Sequence, residues 1–240
     1  MIEAVTFDFW NTLVYEERGH LRGRRLAAWA GILEDAGFAC ERQQLDAAFD
    51  ESWQAYVRAW TANEQFLAVQ GAERCLESLG YDIPDDVRDA LVDAFCTAGD
   101  DAELRLTDGV ADCLGALRST GVAIGIICDV GMTPSSTLRT HLDRNGVLER
   151  FDHWSFSDEV GWYKPAPEIF RHALAGLGDV APARAAHVGD IRRTDVAGAL
   201  GMGMVAVRYT GVSDDTTESE PEATHVIADH RELPAVLGLA

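Results

Sequence analysis

Lysine is almost absent from this chain: of 20 Lys and Arg residues, Lys164 is the one lysine. Arginine's planar fork does not replace a compact ammonium on a flexible stem. A lone surviving lysine therefore marks a position where that geometry is needed. Positive charge as a whole is scarce, and 40 Asp and Glu residues leave a formal net charge of −20 and a pI near 4.5. So acidic a surface argues against nucleic acid and anionic membrane as partners. The basic cluster Arg22, Arg24 and Arg25 is too small to track a duplex. Cysteine is sparse as well, and Cys40, Cys75, Cys96, Cys113 and Cys128 include no Cys-x-x-Cys pair. That excludes the usual zinc spacings and points to reduced thiols. No apolar run reaches the roughly 18 residues of a membrane span, and Met1-Ile2-Glu3-Ala4-Val5 is no basic leader, so a cytoplasmic location is expected.

What the chain does have is apolar content, 47% hydrophobic residues in 240, enough for a sizeable core. Short runs rich in β-branched residues at Ala4-Phe9, Val122-Cys128, His153-Ser155, Ala186-Val188 and Met204-Val207 read as buried parallel strands. Helical patterns at Val110-Ser119, Ser135-Asn145, Pro167-Leu177 and Thr194-Leu200 alternate with them. This alternation predicts a Rossmann-like doubly wound α/β core, residues 1–14 and 98–240. Residues 15–97 break it: Leu26, Trp29, Ala30 and Leu33 share one helical face, as do Leu45, Phe49, Trp53, Tyr56 and Trp60. They predict an inserted all-helical cap, expected to act as a lid over the carboxyl ends of the strands, where open α/β sheets bind ligands. The acidic stretch Ser213 to Glu222 reads as solvated surface ahead of a last strand, His225-Ile227.

The polar residues that interrupt this pattern cluster at strand ends. Asp8 closes the first strand, Cys128 the second, and Gly189-Asp190 the fourth, with Asp195 five residues on. Parallel strands share one carboxyl edge, so Asp8, Cys128 and Asp190 should converge there. Carboxylates brought together repel and raise one another's pKa unless a dication neutralises them. Oxygen ligands without paired cysteine or histidine suit Mg2+.

Asp8-Phe9-Trp10-Asn11-Thr12, a short polar site at Cys128, Lys164-Pro165 and Gly189-Asp190-Ile191-Arg192-Arg193-Thr194-Asp195 come in the order and spacing of the haloacid dehalogenase-like hydrolase superfamily. The chain resembles that family over nearly its whole length, and the insertion resembles its helical cap. The resemblance implies Asp8 as a nucleophile that forms an aspartyl-phosphate. It implies Mg2+ held by Asp8, the backbone carbonyl of Trp10 and Asp190, with Asp195 in the same cluster, and Lys164 neutralising Asp8 and the phosphoryl oxygens. A small phosphorylated metabolite is the expected substrate. Thr12, Asp129 and the cap residues Arg22, Arg25 and Arg58 are candidates for contacting it, with Arg24 and Tyr56 beside them. The oligomeric state is left open.

Three positions depart from the family's usual pattern. Family phosphatases carry a second aspartate two residues after the nucleophile, as acid and base; here that residue is Trp10, whose indole has no titratable proton near neutral pH. Where a Ser or Thr followed by Asn is usual, this chain has Cys128-Asp129. A thiol donates weakly, and a carboxylate beside it repels phosphate unless it turns away. Three readings follow: a Mg2+-dependent phosphatase favouring good leaving groups, a 2-haloacid-type dehalogenase, or a catalytically weakened ligand-binding or regulatory protein. Chemistry through a cap-lysine Schiff base is excluded because the cap contains no lysine.

Overall fold

The computed structural model describes residues Met1–Ala240. Its strands are β1 Ala4–Phe7, β2 Val14–Tyr15, β3 Arg105–Leu106, β4 Ala123–Cys128, β5 His153–Phe156, β6 Ala185–Gly189, β7 Val205–Tyr209 and β8 His225–Ile227. Its α-helices are α1 His20–Asp35, α2 Arg42–Thr61, α3 Ala68–Leu79, α4 Asp85–Thr97, α5 Val110–Ser119, α6 Ser135–Arg144, α7 Ser157–Val160, α8 Pro167–Gly176, α9 Ala197–Met202 and α10 Leu233–Val236. No helix is long and apolar enough to cross a membrane. The chain forms two compact units: Met1–Tyr15, Leu104–Asp129 and Leu142–Ala240 in one, Glu16–Glu103 and Val130–His141 in the other.

The first unit is an α/β domain around a six-stranded parallel sheet in the order β5-β4-β1-β6-β7-β8. Its central strands carry apolar residues on both faces because helices cover both, the usual condition of an all-parallel sheet. One core cluster packs Ile169, Phe170, Ala173 and Leu174 of α8 on Ile127, Ala185 and Ala206 of the sheet. After β1 the chain moves outward to β4 and β5, then returns to β6 on the other side of β1. The β1/β6 junction is thus the topological switch point, where open sheets leave a crevice at the strand ends.

A two-residue antiparallel ladder joins Val14–Tyr15 to Arg105–Leu106, where the chain leaves and re-enters this unit. Strands that short carry no periodic signal, and none was expected there.

The second unit is helical, and its core joins Leu26, Trp29 and Leu33 of α1 to Phe49 of α2, Ala72 and Leu76 of α3, and Leu91 and Phe95 of α4. Trp29 donates its indole N–H to the Leu91 carbonyl (2.9 Å), which satisfies the one polar atom of a fully buried ring. Strand–helix alternation places 98–240 wholly in the α/β domain; the structure groups 98–103 and 130–141 with the helices instead. Hydrogen bonds explain it. Arg24 donates to the Ala98 carbonyl (2.8 Å), Gln65 to the Val130 carbonyl (3.2 Å), and His141 bonds the Gly99 carbonyl (2.8 Å). The Tyr56 ring lies so close to Gly131 that a Cβ there would overlap it.

The C-terminal segment of the α/β domain reaches back to the turn after β1. The buried His230 donates from Nε2 to the Thr12 carbonyl (2.8 Å), and its ring stacks on Tyr209 with centroids 4.2 Å apart. Its Nδ1 is buried without a partner, as suits a neutral imidazole, and burial lowers its pKa to about 4. The unfolded chain binds this proton more readily than the folded chain. His230 therefore stabilises the fold above about pH 6.5, and the contribution is lost as the pH falls towards 4. In denaturant titrations, the stability gap between wild type and His230→Gln should shrink by about 2 kcal/mol between pH 7.5 and pH 5. A gap independent of pH would contradict this assignment.

Candidate active site

Asp8 directly follows β1 and is almost fully buried, with its backbone N–H donating to the Val188 carbonyl of β6 (2.8 Å). The chain then turns sharply: Leu13 and Val14 N–H groups both reach the Phe9 carbonyl (2.9 and 3.0 Å), and Asn11 takes a φ of 54°. Asparagine tolerates this left-handed conformation better than most residues. Trp10 is half-buried in the turn, its ring edge-on to Phe9 at 5.2 Å. Thr12 is buried, and its carbonyl accepts from the Thr107 hydroxyl (2.5 Å) as well as from His230, while its own hydroxyl has no partner.

Lys164 explains its own rarity. The residue is only 1% exposed; its ammonium has three N–H donors, and the structure supplies three acceptors: Asp8 Oδ1 (2.5 Å), Asp195 Oδ1 (2.7 Å) and the Ile127 carbonyl (3.0 Å). A tetrahedral point charge fits that arrangement and a planar guanidinium does not. Burial alone would lower its pKa, but Asp195 and Asp8 hold the ammonium well above its ordinary value. Asp129 is turned onto the same residue: its Oδ1 accepts from the Lys164 backbone N–H (2.8 Å). The Asp129 carboxylate thus braces the lysine's loop. Cys128 is fully buried, and burial, with Asp8 adding to it, pushes its thiol well above its usual value, so it stays protonated.

Asp195 sits in a π turn, Arg192–Val196, where the Asp195 and Val196 amides share the Ile191 carbonyl (2.9 and 3.3 Å). Its Oδ1 accepts from Lys164 and from His187 Nε2 (3.0 Å), its Oδ2 from the Ile191 amide (3.0 Å) and the Thr194 hydroxyl (3.3 Å). Despite burial, Lys164 and His187 hold this carboxylate well below the usual range. Asp190 is different. Burial and the Asp195 charge push it up to about 7, opposed by a hydrogen bond from the Ser213 hydroxyl to Oδ2 (3.1 Å) and by the charge of Lys164. Burial, with Asp195 and Asp190 adding to it, raises Asp8 well above normal in spite of Lys164.

Carboxylate oxygens of Asp8, Asp190 and Asp195 lie within 4.8 Å of one another, and the trio could hold a metal ion. Lys164 bonds both Asp8 and Asp195, and Asp195 has His187 besides, so Asp190, bonded by the Ser213 hydroxyl, is the carboxylate without a cation on it, and one ammonium serves three gathered carboxylates. An all-oxygen donor set with uncompensated negative charge fits a hard divalent cation.

The acidic stretch after β7 is not merely solvated. Besides Ser213 on Asp190, Asp215 accepts from the Arg192 backbone N–H (2.8 Å), Glu222 pairs with Arg192 (2.6 Å) and Arg208 (2.9 Å), and Asp214 pairs with Arg208. The missed signal was Arg208, a cation on a buried strand that required acidic partners. His187 was also missed, although an imidazole in the otherwise apolar run Ala185-Ala186-His187-Val188 invites a search for its partner.

The arginines expected to contact substrate belong to the helical unit. Arg22 pairs on its surface with Asp46 (3.0 Å) and Asp50 (2.5 Å). Arg25 is buried, 4.9 Å over the Phe95 ring, and donates to the Phe95 and Met132 carbonyls (3.0 and 2.7 Å) and the Thr133 hydroxyl (3.0 Å). These bonds hold the unit together. Arg58 is exposed and lines a cleft of about 540 Å³ with Gln70, Glu73 and Arg74.

The parallel α/β sheet thus gathers three buried carboxylates and the one lysine of the chain at the ends of β1 and β6. A model of haloacid dehalogenase-like hydrolases matches residues 2–203, and the chain belongs to that family. It is 31% identical to a glyceraldehyde 3-phosphate phosphatase of Methanothermobacter thermautotrophicus, covering 92% of this chain and 89% of that one. It is 25% identical to (S)-2-haloacid dehalogenase 1 of a Pseudomonas species, covering 98% and 96%. Among solved structures, a HAD phosphatase from Thermococcus onnurineus superposes with a TM-score of 0.67 at 24% identity, covering 99% and 98%.

Asp190 generates a test that needs no substrate. In chelator, its proton is held more tightly by the folded chain than by the unfolded one, so the fold loses stability as the pH rises from about 4 to 7. Asp190→Asn should remove that loss and be the more stable protein at pH 8, by at most about 4 kcal/mol. Chemical denaturation in EDTA that shows the variant to be the weaker at pH 8 would contradict it.

Proposed function

We propose that this hydrolase is a Mg2+-dependent phosphatase of small phosphorylated metabolites, working through Asp8 and favouring substrates with good leaving groups. The observation that supports this reading best is the division of labour among the three buried carboxylates. Lys164 is shared between Asp8 and Asp195 while Asp190 has the Ser213 hydroxyl, so one ammonium leaves the trio with negative charge that a divalent cation would complete. Asp8, Asp190 and the Trp10 carbonyl would hold Mg2+, which, when bound, would neutralise charge on the transferring phosphoryl group.

Asp8 attacks phosphorus as the bond to the leaving oxygen breaks, which yields an aspartyl-phosphate and an alkoxide or aryloxide that takes its proton from water. Water then attacks phosphorus, releasing phosphate and restoring the Asp8 carboxylate. Lys164, fixed by Asp195 and the Ile127 carbonyl, holds Asp8 in place and sets a positive charge beside the phosphoryl oxygens. The Cys128 position contributes through a neutral thiol and the strand-end backbone. Asp129 contributes indirectly, through the loop that carries Lys164. Thr12, with a buried unpartnered hydroxyl in the Asp8 turn, is the further candidate for substrate contact in this unit.

Trp10 shapes the substrate range. Without a titratable proton it cannot protonate a leaving alkoxide, a function worth about 10²–10⁴-fold. Aryl and acyl phosphates, whose leaving groups need no acid, should therefore be turned over faster than alkyl phosphates. The relative that is a glyceraldehyde 3-phosphate phosphatase supports phosphoryl chemistry. The 2-haloacid dehalogenase relative keeps a second reading in view, since halide too leaves without a proton. The Asp8–Asp190 pair, which displacement of halide does not require, favours the phosphatase.

The test compares aryl and alkyl phosphates under Mg2+, in wild type and Trp10→Asp, with chloride release from a 2-haloacid in chelator as a parallel arm. The expected outcome is a rate ratio strongly favouring the aryl substrate, which falls by about tenfold or more in the variant as alkyl turnover rises. Equal wild-type turnover of both phosphates would sink the leaving-group argument. Chloride release without metal would move the assignment to the dehalogenase.

A further inference from the structure

His187 is a fully buried imidazole at the middle of β6, and it is neither the nucleophile nor one of the candidate metal ligands. Its Nε2 lies 3.0 Å from Asp195 Oδ1, and its Nδ1 lies 2.9 Å from the Thr6 hydroxyl on β1. Phe170 closes the remaining side edge-on at 5.3 Å. A carboxylate only accepts, so the proton is on Nε2; Nδ1 then accepts from Thr6, which fixes tautomer and ring orientation together. Residues two apart on a strand point to the same face. His187 and Gly189 both meet Asp195: the first donates to it, and the second clears space for it, since a Cβ on Gly189 would overlap the Asp195 carboxyl carbon. The run His187-Val188-Gly189 is thus a seat for Asp195 as much as a lead-in to Asp190.

We propose that His187 is a positioning residue: with Thr6 behind it, it holds Asp195 Oδ1 at the point from which that oxygen places the Lys164 ammonium on Asp8. The chain Thr6, His187, Asp195, Lys164, Asp8 is continuous through contacts of 2.9, 3.0, 2.7 and 2.5 Å, all between buried side chains. Without the imidazole, Oδ1 would have Lys164 as its single donor and would draw the ammonium towards itself and away from Asp8. Outer partners of this kind typically alter activity by about 10–100-fold when removed. The kinetic consequence rests on the phosphatase reading; the structural one does not.

A single lysine makes the structural consequence directly observable. Protein labelled with 13Cε-lysine gives one side-chain signal, that of Lys164, whatever the reaction catalysed. His187→Leu keeps an apolar body without a donor, whereas His187→Gln keeps an N–H donor. The expected result, in metal-free protein with a cooperative melt, is a shifted or broadened Lys164 signal in His187→Leu and a signal restored towards wild type in His187→Gln. In the kinetic arm, kcat on an aryl phosphate should fall about 10–100-fold in His187→Leu, with KM changed much less, and recover in His187→Gln. An unmoved Lys164 signal in folded His187→Leu would overturn the proposal. If that variant does not fold, the isosteric Thr6→Val carries the test, and an unmoved signal there overturns it equally. A shifted signal in a protein with no phosphatase turnover would leave the positioning role intact and count against the phosphatase reading alone.

Discussion

The site depends on one buried ammonium shared by two carboxylates. Taking charges out of water costs several kcal/mol each, and only close pairing with every donor used offsets it. Lys164 meets that condition, with three donors on Asp8, Asp195 and the Ile127 carbonyl. Its neighbours follow from the same requirement. Asp129 anchors the backbone of the lysine's loop, Gly189 leaves room for the Asp195 carboxylate, and the π turn at Arg192–Val196 turns Asp195 inward. One ammonium among three gathered carboxylates leaves negative charge unmatched, which together with burial holds the pKa of Asp8 and of Asp190 above the usual range. An arrangement whose pairing is deliberately incomplete on one side is a better binding site for a cation than one that is fully neutralised.

Much of this was legible in the residues. The parallel strands were marked by short β-branched runs, and the helical insertion by apolar faces at helical spacing. Asp8 and Asp190 were marked as charges where apolar strands end, Asp195 as a carboxylate five residues beyond, and Lys164 as the single lysine of the chain. The less legible parts have a common physical character. Thr6 and His187 are 181 positions apart, and Thr12 and His230 are 218 apart. Such contacts depend on which strands become neighbours, and no local periodicity records that. The segment 130–141 reads as an ordinary continuation of the α/β domain because its departure rests on hydrogen bonds to residues such as Arg25 and Gln65. The acidic loop reads as surface because its partners, Arg192 and Arg208, lie on other elements.

The departures from the family's usual residues acquire different weights. Asp129 is engaged with the Lys164 amide and has a place in the scaffold. Cys128 is a neutral, fully buried strand terminus. Trp10 remains the position with chemical consequence, because an indole cannot carry the proton that a departing alkoxide takes up. In the proposed phosphatase, the charge pairing bears on whether phosphate esters are hydrolysed, and Trp10 on which ones.

The central claim is that Asp8 attacks phosphorus at a site completed by a divalent cation. Its most direct test is the hydrolysis of an aryl phosphate by wild type and Asp8→Asn, each with Mg2+ and with chelator. Turnover in wild type with Mg2+, and a loss of several orders of magnitude in the other three arms, is the result predicted. Turnover that persists in Asp8→Asn, or in wild type stripped of metal, would contradict the account.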